Sequence, residues 1–191
     1  MDPTLAYYYN VNEFLKTSNG IKLSPYSCVY ANVNAISQFI NYSDVELPFL
    51  INGRLITAGE YKEKGYGPVF LPKETLQSAM NDWVDIFIYK SHATFEKIMR
   101  GEDVSVDDVV GKITKVEWNE KDSGIDFYAE VFDKQIAYKM ANGLIKFISV
   151  GFGREIVRDN NRFIFMNMAP KETSLVFDPR DKKAEFKPAK E

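Results

Sequence analysis

The chain is short of the residues that most often carry cross-links and metals: of 191 residues, one is cysteine (Cys28) and one is histidine (His92). A single cysteine excludes an internal disulfide framework, and one of each excludes zinc sites of the cysteine–histidine kind. Neither a metal nor a cofactor is expected. No apolar run approaches the roughly 20 residues of a membrane-spanning helix, so no membrane partner is expected. The opening MDPTLAYYYN lacks the basic-then-apolar order of a secretory signal, which places the protein inside the cell that makes it. An excess of positive charge is also missing: 24 basic against 27 acidic residues give a net charge of −3. Without an arginine-rich stripe there is little to neutralise phosphates, which argues against a nucleic-acid partner.

What is present is apolar and aromatic residues, 45% and 14% of the chain, more than disordered chains carry. The length suits one domain with an appended arm. Residues 1–45 are read as that arm, with a strand over Tyr26–Val33 and a short helix over Ala35–Ile40. Residues 46–179 are read as the domain, and residues 180–191 as a solvated tail. Within the domain, Leu47–Ala58 predicts a hairpin turning at Asn52-Gly53, and residues 59–68, with three glycines and a proline, predict a flexible surface loop. Pro72 opens a helix with Leu76, Ala79 and Met80 on one face. Trp83–Tyr89 predicts a strand that ends just before His92, Phe95–Arg100 a helix closed by Gly101. Val109–Trp118 and Ile125–Phe132 alternate as the two arms of a hairpin. Asp133 predicts a helix cap and Gly143 the end of that helix. Three further strands follow, Leu144–Val157, Arg162–Met168 and Glu172–Phe177. The sum is an α+β fold: a roughly seven-stranded antiparallel sheet, closed or nearly closed into a β-barrel and flanked by a few helices.

The chemistry centres on Ser149, a hydroxyl inside the apolar run LIKFISVGFG over residues 144–153. A buried hydroxyl without a partner costs about 1–3 kcal/mol. It must therefore bond a neighbouring carbonyl or open onto a site. A serine nucleophile needs a base that works near neutrality, and His92 is the one histidine available. Glu172 heads the strand KETSLVFDP, where Glu172, Ser174 and Val176 share one face. A carboxylate in that place could orient the imidazole, with Asp178 and Asp85 as substitutes. Arg154 is a candidate for meeting an oxyanion, as are backbone N–H groups. Cys28 paired with His92 is a chemical alternative to Ser149.

The order of these pieces resembles the prohead maturation proteases of tailed viruses: His92 after an apolar strand, a hairpin, a helix ending in glycine, then KFISVGF and ETSLVFDP. That family shares the fold of the herpesvirus assembly protease. The resemblance covers roughly residues 47–179 and implies Ser149 as nucleophile, His92 as base and Glu172 as the acidic member of a triad. It implies a serine endopeptidase that enters the immature capsid in the host cytoplasm and cleaves the scaffolding protein and extensions of the major capsid protein. Self-cleavage and homo-oligomer formation would be in keeping with it. The rival expectations are a protease-fold scaffold or head-assembly protein without activity, and a small β-barrel binding module using Tyr7, Tyr8, Tyr9 and Phe14.

Overall fold

A computed structural model describes residues 40–189, except Lys64 and Asn161. The strand expected over Tyr26–Val33, nearly all of the helix expected over Ala35–Ile40, Cys28 and the aromatic group Tyr7, Tyr8, Tyr9 and Phe14 lie outside these residues. From Ile40 onward the chain belongs to one compact unit.

Among the described residues nine strands and three short α-helices follow one another: β1 (Phe49–Thr57), β2 (Gly59–Glu63), β3 (Gly67–Leu71), α1 (Lys73–Ser78), β4 (Phe87–Tyr89), α2 (Ala93–Arg100), β5 (Val109–Asn119), β6 (Gly124–Val131), α3 (Lys134–Ala141), β7 (Phe147–Asp159), β8 (Arg162–Val176) and β9 (Phe186–Pro188). The hairpin of β5 and β6 forms as its alternation requires. Ile125, Phe127, Ala129 and Val131 are buried while Asp126, Tyr128 and Glu130 between them are less so. Asp133 caps α3 by accepting a hydrogen bond from Ile136 N at 3.0 Å, and Gly143 follows at φ 68°. Gly101 ends α2 in the same left-handed conformation.

The expected antiparallel barrel is corrected to a mixed, open sheet. Neighbouring strands run β2-β3-β8-β4-β5-β6-β1-β9, with β7 lying on β8 as a branch. Two pairings are parallel, Val69 with Phe163 and Ile88 with Thr173. Local hairpin signals do not reveal them, because β3 and β4 join a strand some 85–94 positions away in the sequence. Closure fails between β7 and β9, where an isolated bridge of Phe147 with Glu185 stands in place of a ladder.

Other expectations change with it. Leu47–Ala58 is not a hairpin: Asn52 and Gly53 sit inside one strand, β1. The glycine serves a close approach, since a Cβ there would stand 2.2 Å from Glu185 O. Residues 59–68 form the hairpin of β2 and β3 rather than an irregular loop. Trp83 ends a 3-10 turn and is fully buried, so the strand expected over Trp83–Tyr89 shortens to Phe87–Tyr89. Arg162–Met168 and Glu172–Phe177 fuse into β8, with Pro170 at a register shift against Gly151 and Phe152, where its missing N–H is tolerated. Residues 180–189 are not a solvated tail, because Ala184 and Phe186 are buried and β9 pairs with β1.

The core gathers Trp83, Phe127, Ile51, Leu55, Leu71, Leu76, Ile113 and Ile148, each at most 1% exposed. Ile148 immediately precedes Ser149, so the core runs up to the hydroxyl's own strand. No helix among the described residues is long and apolar enough to cross a membrane.

Candidate active site

Strand β8 is the platform of the site. Over its C-terminal half it pairs with β7 on one edge and β4 on the other, so that Tyr89, Ser174 and Ser149 stand abreast on three adjacent strands. Side chains directly opposite across a ladder share a face, as do positions i and i+2 on one strand. Ser149, Ser174 and Glu172 therefore share one face, with Ser149 diagonal to Glu172.

His92 comes to this face from β4. After Tyr89 the chain leaves the sheet, Lys90 N donates to Asp108 O at 2.9 Å, and His92 becomes the residue that precedes α2. Its Nδ1 lies 2.8 Å from Glu172 Oε1, the imidazole 44% exposed and the carboxylate fully buried. The approach is an ion-pair contact, since neither Glu172 oxygen has a partner in hydrogen-bond geometry among the described residues. A buried carboxylate without other donors makes the imidazole its principal electrostatic partner. The charge of Glu172 is felt nearby: burial first, and then that charge, push the Tyr89 phenol above its ordinary range.

His92 and Ser149 line one cavity of about 140 Å³. Leu55, Ile148, Phe165, Pro179 and Ala184 give it an apolar part of its lining. Arg154 reaches the same cavity, with its guanidinium held by Glu63, which also binds Arg180 at 3.1 Å. The positive charge expected there is present, but it is shared with a carboxylate. Asp181 lies on the same rim and accepts hydrogen bonds on one oxygen from Thr57 N and Thr57 Oγ1, both at 2.7 Å, and from Tyr61 OH at 3.1 Å. Burial, reinforced by the Asp181 charge, pushes the Tyr61 phenol upward.

Of the residues singled out in the sequence, Glu172 meets His92, and Ser149 and Arg154 share the cavity that His92 lines. The substitutes for Glu172 are engaged elsewhere, Asp85 with Lys112 and Asp178 with Lys182, and both are largely exposed. Sequence reasoning missed Glu63, Arg180 and Asp181, which come from a segment read as loop and one read as tail. It also gave no task to Ser174, although the alternation along KETSLVFDP already put it on the face of Glu172. Among the described residues no group of three or more His, Cys, Asp and Glu side chains gathers as a metal site would require.

Chemically, an imidazole that donates its Nδ1–H to a carboxylate has Nε2 as its basic nitrogen. A hydroxyl on the same cavity then completes the set of groups needed for acyl transfer. No protein-family model matches the chain, and no curated protein matches it either.

Proposed function

We propose that the protein is a serine endopeptidase with Ser149 as nucleophile, His92 as general base and Glu172 as the carboxylate that orients the imidazole. The observation that carries this reading is the 2.8 Å approach of His92 Nδ1 to the fully buried Glu172, on the sheet face that Ser149 of the neighbouring β7 shares. In the first step Ser149 Oγ attacks a peptide carbonyl while its proton passes to His92. The tetrahedral oxyanion then collapses, the C–N bond breaks, and the amine leaves with the proton from His92. Water, deprotonated by the same imidazole, hydrolyses the resulting ester and restores Ser149. The likeness to prohead maturation proteases supplies the setting: scaffolding protein and capsid-protein extensions as substrates, inside an immature capsid.

The test is covalent labelling. A fluorophosphonate should mark Ser149 in the wild-type protein, with the adduct located by mass spectrometry, and Ser149→Ala should lose the label while folding normally, since that substitution lies in the range of about 0.5 kcal/mol or less. Undiminished labelling of Ser149→Ala, or a wild-type protein that takes no label, overturns the proposal. The second outcome would favour a head-assembly protein that keeps the fold without the activity.

A further inference from the structure

Two buried hydroxyls on β8 reach across to backbone carbonyls of the segment that carries His92. Thr173 Oγ1 donates to Phe87 O at 3.0 Å, and Ser174 Oγ donates to Ser91 O at 3.2 Å. Both residues are fully buried. Their placements differ in a way that matters. The backbone register of β4 with β8 ends at Tyr89 opposite Ser174. Thr173 thus braces the start of β4, inside the stretch where the ladder already fixes the chain. Ser174 instead reaches two residues past the last ladder pair and holds the carbonyl of the residue immediately before His92. The same Ser174 lies opposite Ser149 and two positions from Glu172, so one residue neighbours the strand positions of the hydroxyl and the carboxylate and the backbone that leads into His92.

We propose that Ser174 is a positioning residue for His92, its hydroxyl anchoring the Ser91 carbonyl so that the imidazole stays seated on Glu172 and aimed at Ser149. This rests on the reading of Ser149, His92 and Glu172 given above. A hydroxyl is suited to the task because it donates one directional hydrogen bond from a compact side chain that fits between β4 and β7. The backbone cannot provide that bond once β4 leaves the ladder. The Ser91 carbonyl belongs to the peptide that leads directly into His92, so fixing it fixes the backbone from which the imidazole extends.

The experiment compares Ser174→Ala with Thr173→Ala, two losses of a buried hydroxyl bonded to a nearby carbonyl. The first readout is the rate of fluorophosphonate labelling at saturating reagent. In that step Ser149 Oγ bonds to phosphorus, fluoride leaves, and the hydroxyl proton passes to His92. Ser174→Ala should lower this rate about tenfold with the half-saturating concentration little changed, as expected when a reacting group is misplaced rather than lost. Thr173→Ala should leave it within about twofold. The second readout is the NMR signal of the imidazole at fixed pH, unambiguous because the chain has one histidine. It should shift in Ser174→Ala and stay in place in Thr173→Ala, and it requires no catalysis. Equal effects of the two substitutions, or an unmoved imidazole signal in Ser174→Ala, overturn the inference. If Ser174→Ala does not fold, Ser174→Cys, a near-isostere with a weaker donor, carries the same comparison. Retained labelling of Ser149→Ala would instead strike at the peptidase reading and leave the imidazole signal to decide the role of Ser174.

Discussion

Glu172 is a charge taken wholly out of water and set against an imidazole that is itself 44% exposed. Removing the ring leaves that carboxylate without its partner, and an uncompensated buried polar group costs about 1–3 kcal/mol. His92→Ala should therefore lower the urea midpoint, and adding Glu172→Gln should recover most of the loss, because the amide no longer needs a counter-charge. A double variant no more stable than His92→Ala would show that the two side chains are not energetically coupled. Glu172→Gln alone should slow Ser149 labelling by about two to four orders of magnitude, the scale seen when the carboxylate of a triad is made neutral. At this scale the sequence was readable where a residue broke its surroundings: a hydroxyl in an apolar strand, a solitary histidine, a carboxylate at the head of an apolar run. The face of Ser174 was readable but its partner was not, since that partner is a backbone carbonyl, which every residue possesses.

Among the elements, α3 shows how a local signal becomes a measurable quantity. Its cap, Asp133, accepts from Ile136 N and lies 3.3 Å from Lys90 Nζ. Burial alone would raise this carboxyl. The Ile136 N–H and the Lys90 ammonium outweigh it and hold the carboxyl below its ordinary value. A carboxyl depressed in the folded state stabilises fully above the ordinary carboxylate range, and the contribution is lost as pH falls through the depressed value. Asp133→Ala should thus cost about 1 kcal/mol near neutrality, and the gap to the wild type, followed by denaturant titration, should narrow as the solution is made more acidic. The capped helix and the hairpin of β5 and β6 were legible because all their determinants lie within a few residues. The parallel contacts of β3 and β4 with β8 were not, because strands of five and three residues carry little periodicity to read and their partner lies far along the chain. Gly53 misled for a related reason: a dipeptide that commonly turns a hairpin is also one that lets another backbone come close.

For the molecule as a whole, that close approach ties residues 184–188 to β1. Arg54 N donates to Glu185 O at 3.0 Å, and a Cβ on residue 53 would also meet Phe186 Cα at 2.5 Å. Gly53→Ala should push the segment off β1, which hydrogen exchange would record as faster exchange of the Arg54 amide, while the hairpin of β5 and β6 keeps its protection. Unchanged exchange at Arg54 would mean that the strand pair absorbs the methyl. The segment was read as solvated from its lysines, its acidic residues and its one proline, and composition could not reveal that Ala184 and Phe186 are buried. The cavity draws on Leu55 and Ile56 from β1, His92, the start of β7, and Pro179, Arg180, Asp181 and Ala184. Ribosomes deliver these pieces in numerical order, so a nascent polypeptide acquires its imidazole first, its hydroxyl much later, and its carboxylate only shortly before Pro179 and Ala184. On the peptidase reading, no substrate could be gripped on that side until residues 179–184 had joined strands made long before them.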